Sequence, residues 1–288
     1  MVDVAFAGPV ALSLFSAVTL ALANFAVKRG GDVLAARLVF AMAMAATVAP
    51  LAFFVAPPPR AMWPGLAASL AAHWIYQFAM IRALHRGDFS AVFPVMRGLA
   101  PMVTAGAAYV AMGETLSPLS LFGLMVACAA LIVFGAPPSA LAAARRAHFS
   151  SLLWAAMTAI GIGVYSVVDA SVVRAAPSPF TFIVWLFLLD WVGVAVGAAI
   201  ARRGALWRDM RPQLKNGVLG GAIGAVSYGA AVVAFTLTDV AMVTALRETA
   251  GFFAAILGVV FLKEAFGRRR IIAAAALAVG LAFLRLGA

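Results

Sequence analysis

Residues 91–114, AVFPVMRGLAPMVTAGAAYVAMGE, and residues 241–264, AMVTALRETAGFFAAILGVVFLKE, align without a gap. Ala91 meets Ala241, Arg97 meets Arg247, Ala100 meets Ala250, Ala105 meets Ala255, Val110 meets Val260 and Glu114 meets Glu264. Each copy is an apolar, helix-length run with one arginine inside it and one glutamate closing it. An arginine inside hydrocarbon is costly and marks a candidate functional site. Two of them in the same register predict a duplicated membrane protein.

Composition agrees. Of the 288 residues 65% are hydrophobic and only 11% charged, and mean hydropathy is +1.06. A soluble protein of this size needs far more polar surface. The net charge of +11 does not indicate nucleic acid, because the basic residues occupy short gaps between apolar runs instead of one solvated face. Cys128 is the one cysteine, so no intrachain disulfide and no Cys/His metal cluster is expected, and the expectation is no cofactor. No Lys or Arg precedes the first apolar run, so that run is read as a retained membrane helix and not a secretory signal.

A helix needs about 20 apolar residues to cross a bilayer. Ten runs qualify approximately: 8–28, 32–55, 63–84, 88–111, 116–135, 149–170, 179–201, 214–236, 239–262 and 267–286. Prolines punctuate the gaps, as at Pro57-Pro58-Pro59 and Pro137-Pro138. The expected fold class is an all-α integral membrane protein of ten transmembrane helices. Its halves, 1–140 and 141–288, each hold five spans. An odd number of spans per half inserts the second half upside down, as in secondary transporters that bind substrate where inverted repeats meet.

Lys and Arg counts set the orientation. With the N-terminus outside, cytoplasmic loops receive Lys28, Arg29, Arg82, Arg86, Arg145, Arg146, Arg202, Arg203, Arg208, Arg211, Lys215, Lys263, Arg268, Arg269 and Arg270. The outer side receives Arg60, Arg174 and Arg285. Both termini are therefore expected on the non-cytoplasmic side. Arg97 and Arg247 then lie on antiparallel helices, each roughly 12–14 Å from its own membrane face and close to the midplane.

Ala91, Pro94, Pro101 and Glu114 in the fourth span resemble the EamA branch of the drug/metabolite transporter superfamily. So do Ala245-Leu246-Arg247-Glu248-Thr249 and Leu262-Lys263-Glu264 in the ninth. The resemblance covers the whole chain. It implies a multi-pass exporter of small metabolites working by alternating access. The expected location is the inner membrane of a bacterium and the expected partners are a small molecule and the lipid bilayer, with the number of subunits left open. The interior looks most like that of exporters of amino acids, aromatic and other neutral ones included. The halves differ, since Thr244 and Gly251 stand where helix four has Pro94 and Pro101.

The candidate substrate-binding residues are these. His73, Tyr76, Gln77 and Met80 share a stripe at steps of three and four, read as a cavity wall, with interhelical bonding as the competing role. Tyr165, Trp185 and Tyr228 are aromatic candidates, and Asn24 lies on a polar face with Ser13 and Ser16. Arg97 and Arg247 suit a carboxylate, because a guanidinium stays charged and offers a fork of donors. Glu248 cannot face Arg247, its neighbour on one helix, so any partner lies on another helix or is Arg97. Pro94 and Pro101 are the expected hinge. Asp169 and Asp190 are intramembrane carboxylates, read as proton carriers or structural partners; Arg37 is the named partner for Asp190. The glycines at 217, 220, 221 and 224 are read chiefly as packing residues.

No Ser, His and carboxylate set suggests an enzyme; His73, His85 and His148 are scattered. A membrane-embedded lipid enzyme, a transporter of drugs or sugar-type metabolites, and a passive channel remain the alternatives.

Overall fold

The computed structural model describes residues 4–27, 32–86, 95–135, 149–202, 204–253 and 268–287. Pro94 and Glu264 lie outside them. The described residues are almost wholly helical and contain no strand. The main helices are α1 (Val4–Val27), α2 (Val33–Val48), α3 (Trp63–Arg86), α4 (Ala100–Met112), α5 (Pro118–Gly135), α6 (Phe149–Ala175), α7 (Pro179–Arg202), α8 (Leu214–Phe235), α9 (Val240–Glu248) and α10 (Arg268–Leu286).

Five stretches are long and apolar enough to cross a membrane: Leu34–Phe53, Val95–Met112, Phe149–Ala175, Pro179–Arg202 and Leu206–Phe235. The apolar parts of α1, α5 and α10 are shorter, Gly8–Asn24, Pro118–Phe134 and Ile271–Leu286. Seventeen residues of helix span about 26 Å, just under a 30 Å core. In α3 the polar residues His73, Gln77, Arg82, His85 and Arg86 dilute the apolar run.

Local chemistry sets several helix ends. Asp32 caps α2, its side chain accepting from the Ala35 N–H at 3.0 Å. Pro50 ends the same helix early, because its ring cannot continue the ladder, and Ala49–Phe53 tightens into a 3-10 turn. Gly113 closes α4 in the left-handed region at φ +69°.

Neighbouring helices pack in a pattern that survives exchange of the first five for the last five. The pair α1 and α8 corresponds to α6 and α3, the pair α4 and α6 to α9 and α1, and the pair α2 and α8 to α7 and α3. The contacts of α2 with α7, α4 with α9 and α5 with α10 map onto themselves. Small residues allow the closest approaches. A Cβ on Gly221 would lie 2.4 Å from the Phe40 carbonyl oxygen, and one on Gly224 would lie 2.3 Å from the Phe40 ring. The α8 glycines are packing residues, as small-residue interfaces in membranes require. Phe182, Leu66, Ile162, Val232 and Phe235 centre the largest apolar core, where α3, α6, α7 and α8 meet.

A candidate ligand-binding cluster at two broken helices

The helices carrying the repeated arginines each have a one-residue irregularity at equivalent positions. Across it the backbone stays in the right-handed helical region and i+4 bonds persist, from Leu99 N–H to Val95, Val103 N–H to Leu99 and Phe253 N–H to Thr249. Residues 95–98 form a helical turn, Leu99 is the irregular residue and α4 continues at Ala100. In the second copy α9 stops at Glu248, Thr249 is the irregular residue and helix continues at Ala250. The devices differ. Pro101 has no N–H to give to the Arg97 carbonyl four residues earlier. Thr249 turns its hydroxyl onto the Leu246 carbonyl at 2.6 Å, and its own carbonyl takes the Phe252 N–H at 2.8 Å in a tighter i+3 turn. The irregularity is therefore shared by both halves and is not a property of the proline-bearing helix alone.

The two arginines meet different partners. Arg97 Nε lies 2.7 Å from Glu248 Oε2, bridging α4's leading turn to α9. The N–H does not point along this contact, so Oε2 gains an opposite charge but no aligned hydrogen bond. The Glu248 side chain is 2% exposed and that of Arg97 20%. Arg247 has no carboxylate within ion-pair distance among the described residues. Its Nε donates to Ser16 Oγ on α1 at 3.0 Å, and its guanidinium carbon stands 4.6 Å above the Tyr228 ring. Ser16 is fixed in turn by two reciprocal 2.7 Å bonds with Ser227 on α8, each hydroxyl donating to the other's carbonyl.

Aromatic rings wall this pair of charges. His73 stacks on Tyr165 at 4.3 Å between centroids, Tyr76 tilts against Tyr165 at 5.1 Å, and Tyr165 meets Tyr228 edge-on at 6.1 Å. Phe187 backs Tyr228 at 6.0 Å. The Tyr76 hydroxyl points to Met80 Sδ at 3.5 Å.

Asp169, absent from the substrate-binding candidates, is the fully buried anchor of this cluster. Its Oδ1 accepts from the Ser69 hydroxyl, and its Oδ2 from Tyr228 at 2.6 Å and His73 Nε2 at 2.9 Å. The α3 stripe is split as a result. His73 turns to α6 and α8, whereas Gln77 turns to α7 and α2, giving its amide N–H to Asp190 at 3.3 Å and taking one from Arg37 at 3.3 Å. Gln77 thus stands between Asp190 and Arg37, which form no direct pair.

Other candidates fall elsewhere. Trp185 packs edge-on against Trp63 at 5.9 Å, and its buried indole N–H has no acceptor among the described residues. Asn24 is exposed and joins no bond of the cluster. Trp154 pairs with Phe78 at 5.6 Å and lies under Arg86, as an interfacial residue does. Pro94 lies outside the described residues. No three His, Cys, Asp or Glu side chains converge among the described residues as a metal site would need.

Each end of the bundle carries its own clasp. Arg174, at the end of α6, pairs with Glu114 at 2.6 Å and donates to the carbonyls of Phe235 at 2.7 Å and Thr238 at 2.9 Å. Glu114 accepts from the Val240 N–H at 3.0 Å, so it caps the start of α9, where a helix favours negative charge. At the other end Arg202 pairs with Asp32 at 2.5 Å and lies 3.7 Å from Asp209.

No family model matches the sequence, and no curated protein does. The fold is shared with solved structures. One, described only as "Crystal structure of protein", superposes with a TM-score of 0.70 over 96% of this chain and 95% of its own, at 20% identity. That identity speaks to the fold alone.

Proposed function

We propose that this chain is a secondary transporter of the EamA type, with ten membrane spans in two inverted five-helix repeats. It exports small metabolites, most of all amino acids, aromatic and other neutral ones included, by alternating access. The observation that carries this reading is Arg247. It is a permanent cation at a helix irregularity, walled by tyrosines, with no carboxylate partner among the described residues. A ligand carboxylate completes it, and the rings of Tyr76, Tyr165 and Tyr228 suit an apolar or aromatic side chain. The Arg97 carbonyl, left without its helix donor by Pro101, is an acceptor for the ligand ammonium. The main helix contacts keep their pattern when the first five helices are exchanged for the last five, which supports the repeat architecture of such transporters. The charge distribution supports both termini on the non-cytoplasmic side.

Purified protein in liposomes loaded with unlabelled amino acid should exchange it for radiolabelled Phe, Trp, Met or Thr. Exchange of a sugar or a cationic drug but of no amino acid would refute the substrate class. Exchange of none would refute the transporter reading.

A further inference from the structure

The cluster holds a second ionisable unit that substrate recognition does not use. Asp169 is wholly buried, yet no Lys or Arg among the described residues pairs with it; two hydroxyls and one imidazole are its partners there. A buried carboxylate normally needs a cation beside it. The one partner able to become a cation is His73, whose side chain is 11% exposed. The other oxygen ligand of the same Oδ2, the Tyr228 hydroxyl, belongs to the ring that carries Arg247 on its face.

We propose that Asp169 and His73 form a proton-binding site linked through Tyr228 to Arg247, so that one proton and one ligand carboxylate bind together. This rests on the reading of Arg247 as the carboxylate site. With Nε2–H given to Asp169, the proton from water enters at Nδ1 of His73. No other bond forms or breaks, and the charge of the pair goes from −1 to 0. While the pair is negative its field holds Arg247. Once the pair is neutral, the guanidinium charge is uncompensated on that side and draws an external carboxylate.

The groups facing the pair set the sign of the linkage. From α9, Arg247 is a permanent cation on the face of the Tyr228 ring whose hydroxyl bonds Asp169. From α7, Asp190 is the carboxylate held by Gln77, which lies one turn along α3 from His73. Like charges oppose and opposite charges favour a proton on His73. From α6 itself, the neutral ring of Tyr165 lies flat against the imidazole. From α3 and α8, Ser69 and Tyr228 only donate to the carboxylate. A carboxylate arriving on Arg247 cancels the one opposing charge, so ligand and proton assist each other. Such coupling changes affinity by about 5- to 150-fold. Ligand and proton then move in the same direction, and export down the metabolite's own gradient carries a proton outward.

The test is a pH titration of full-length protein with isotope-labelled histidine, followed by NMR, with His73→Gln assigning the His73 signal. His73 is expected to take up a proton within the titrated range. Arg247→Gln should move the midpoint to higher pH, and so should saturating phenylalanine. Tyr228→Phe keeps the ring under Arg247 and removes only the hydroxyl; it should move the midpoint while leaving the fold intact. A His73 that never titrates, or one whose midpoint ignores Arg247→Gln, overturns the proposal. A midpoint that responds to Arg247→Gln but to no amino acid retains the proton site and refutes the amino-acid reading instead.

Discussion

Replacing Glu248 by Gln removes one charge of the Arg97–Glu248 pair and little volume. At 2.7 Å, two unit charges in an effective dielectric near 20 attract by about 6 kcal/mol. Much of that is cancelled by the desolvation of both groups, several kcal/mol per ion. The net worth of the intact pair is therefore small. The single mutant is different, because desolvation of Arg97 is then uncompensated. Loss of one partner from a buried pair costs about 3–5 kcal/mol, and Arg97, one-fifth exposed, belongs at the lower end. Glu248→Gln should destabilise the protein by about 3 kcal/mol and Arg97→Met, which strands the deeply buried Glu248, by about 5 kcal/mol, whereas the double variant should fall within about 1.5 kcal/mol of the parent. The assay is a double-mutant cycle by denaturant unfolding of the detergent-solubilised protein. Single variants as stable as the parent, or a double variant that loses the sum of both, would show that the contact is not a buried charge pair.

Arg247→Met should raise the KM for amino acids about 10- to 150-fold, the worth of a hydrogen bond to a charged group. The corresponding amines without a carboxylate should be unaffected, and equal losses for both would remove Arg247 from the site. Gly123 and Gly280 bring α5 and α10 together backbone to backbone; a Cβ on Gly123 would lie 2.3 Å from the Leu284 nitrogen and one on Gly280 2.6 Å from the Ala127 nitrogen. Gly123→Leu should destabilise the fold by about 1–3 kcal/mol through overpacking, and an unchanged melting temperature would contradict this packing. Glu114→Gln removes the charge from the cap of α9 and from Arg174. It should speed cysteine labelling at Thr238→Cys, and an unchanged rate would show that the clasp does not hold that end.

The helical character was legible because long apolar runs report themselves, but only five stretches among the described residues are long and apolar enough to cross a membrane, and one boundary moved where Pro50 ends its helix. The Arg97–Glu248 contact was also within reach, since helix geometry denied Glu248 its own neighbour. The irregularity at Thr249 was not. A threonine hydroxyl turned onto Leu246 is one rotamer among several, whereas Pro101 announces its missing donor. Asp169 was visible as an intramembrane carboxylate, but its role comes from how α3 and α8 cross α6, which no local pattern encodes. Gln77 shows the same limit. Its spacing from His73 predicts a common face, yet two side chains on one face can serve different neighbouring helices.

The Arg174 clasp also bears on timing. One side chain ties the ends of α4, α6 and α8 and the approach to α9. Separating them there means surrendering an ion pair and two carbonyl bonds, and with them the Glu114 cap, in one event. With water competing for each, about 1 kcal/mol apiece remains, or about 4 kcal/mol together. The parted arrangement then holds roughly one molecule in a thousand. Opening at this rim is therefore a rare event, and weakening the clasp raises the share of molecules parted there.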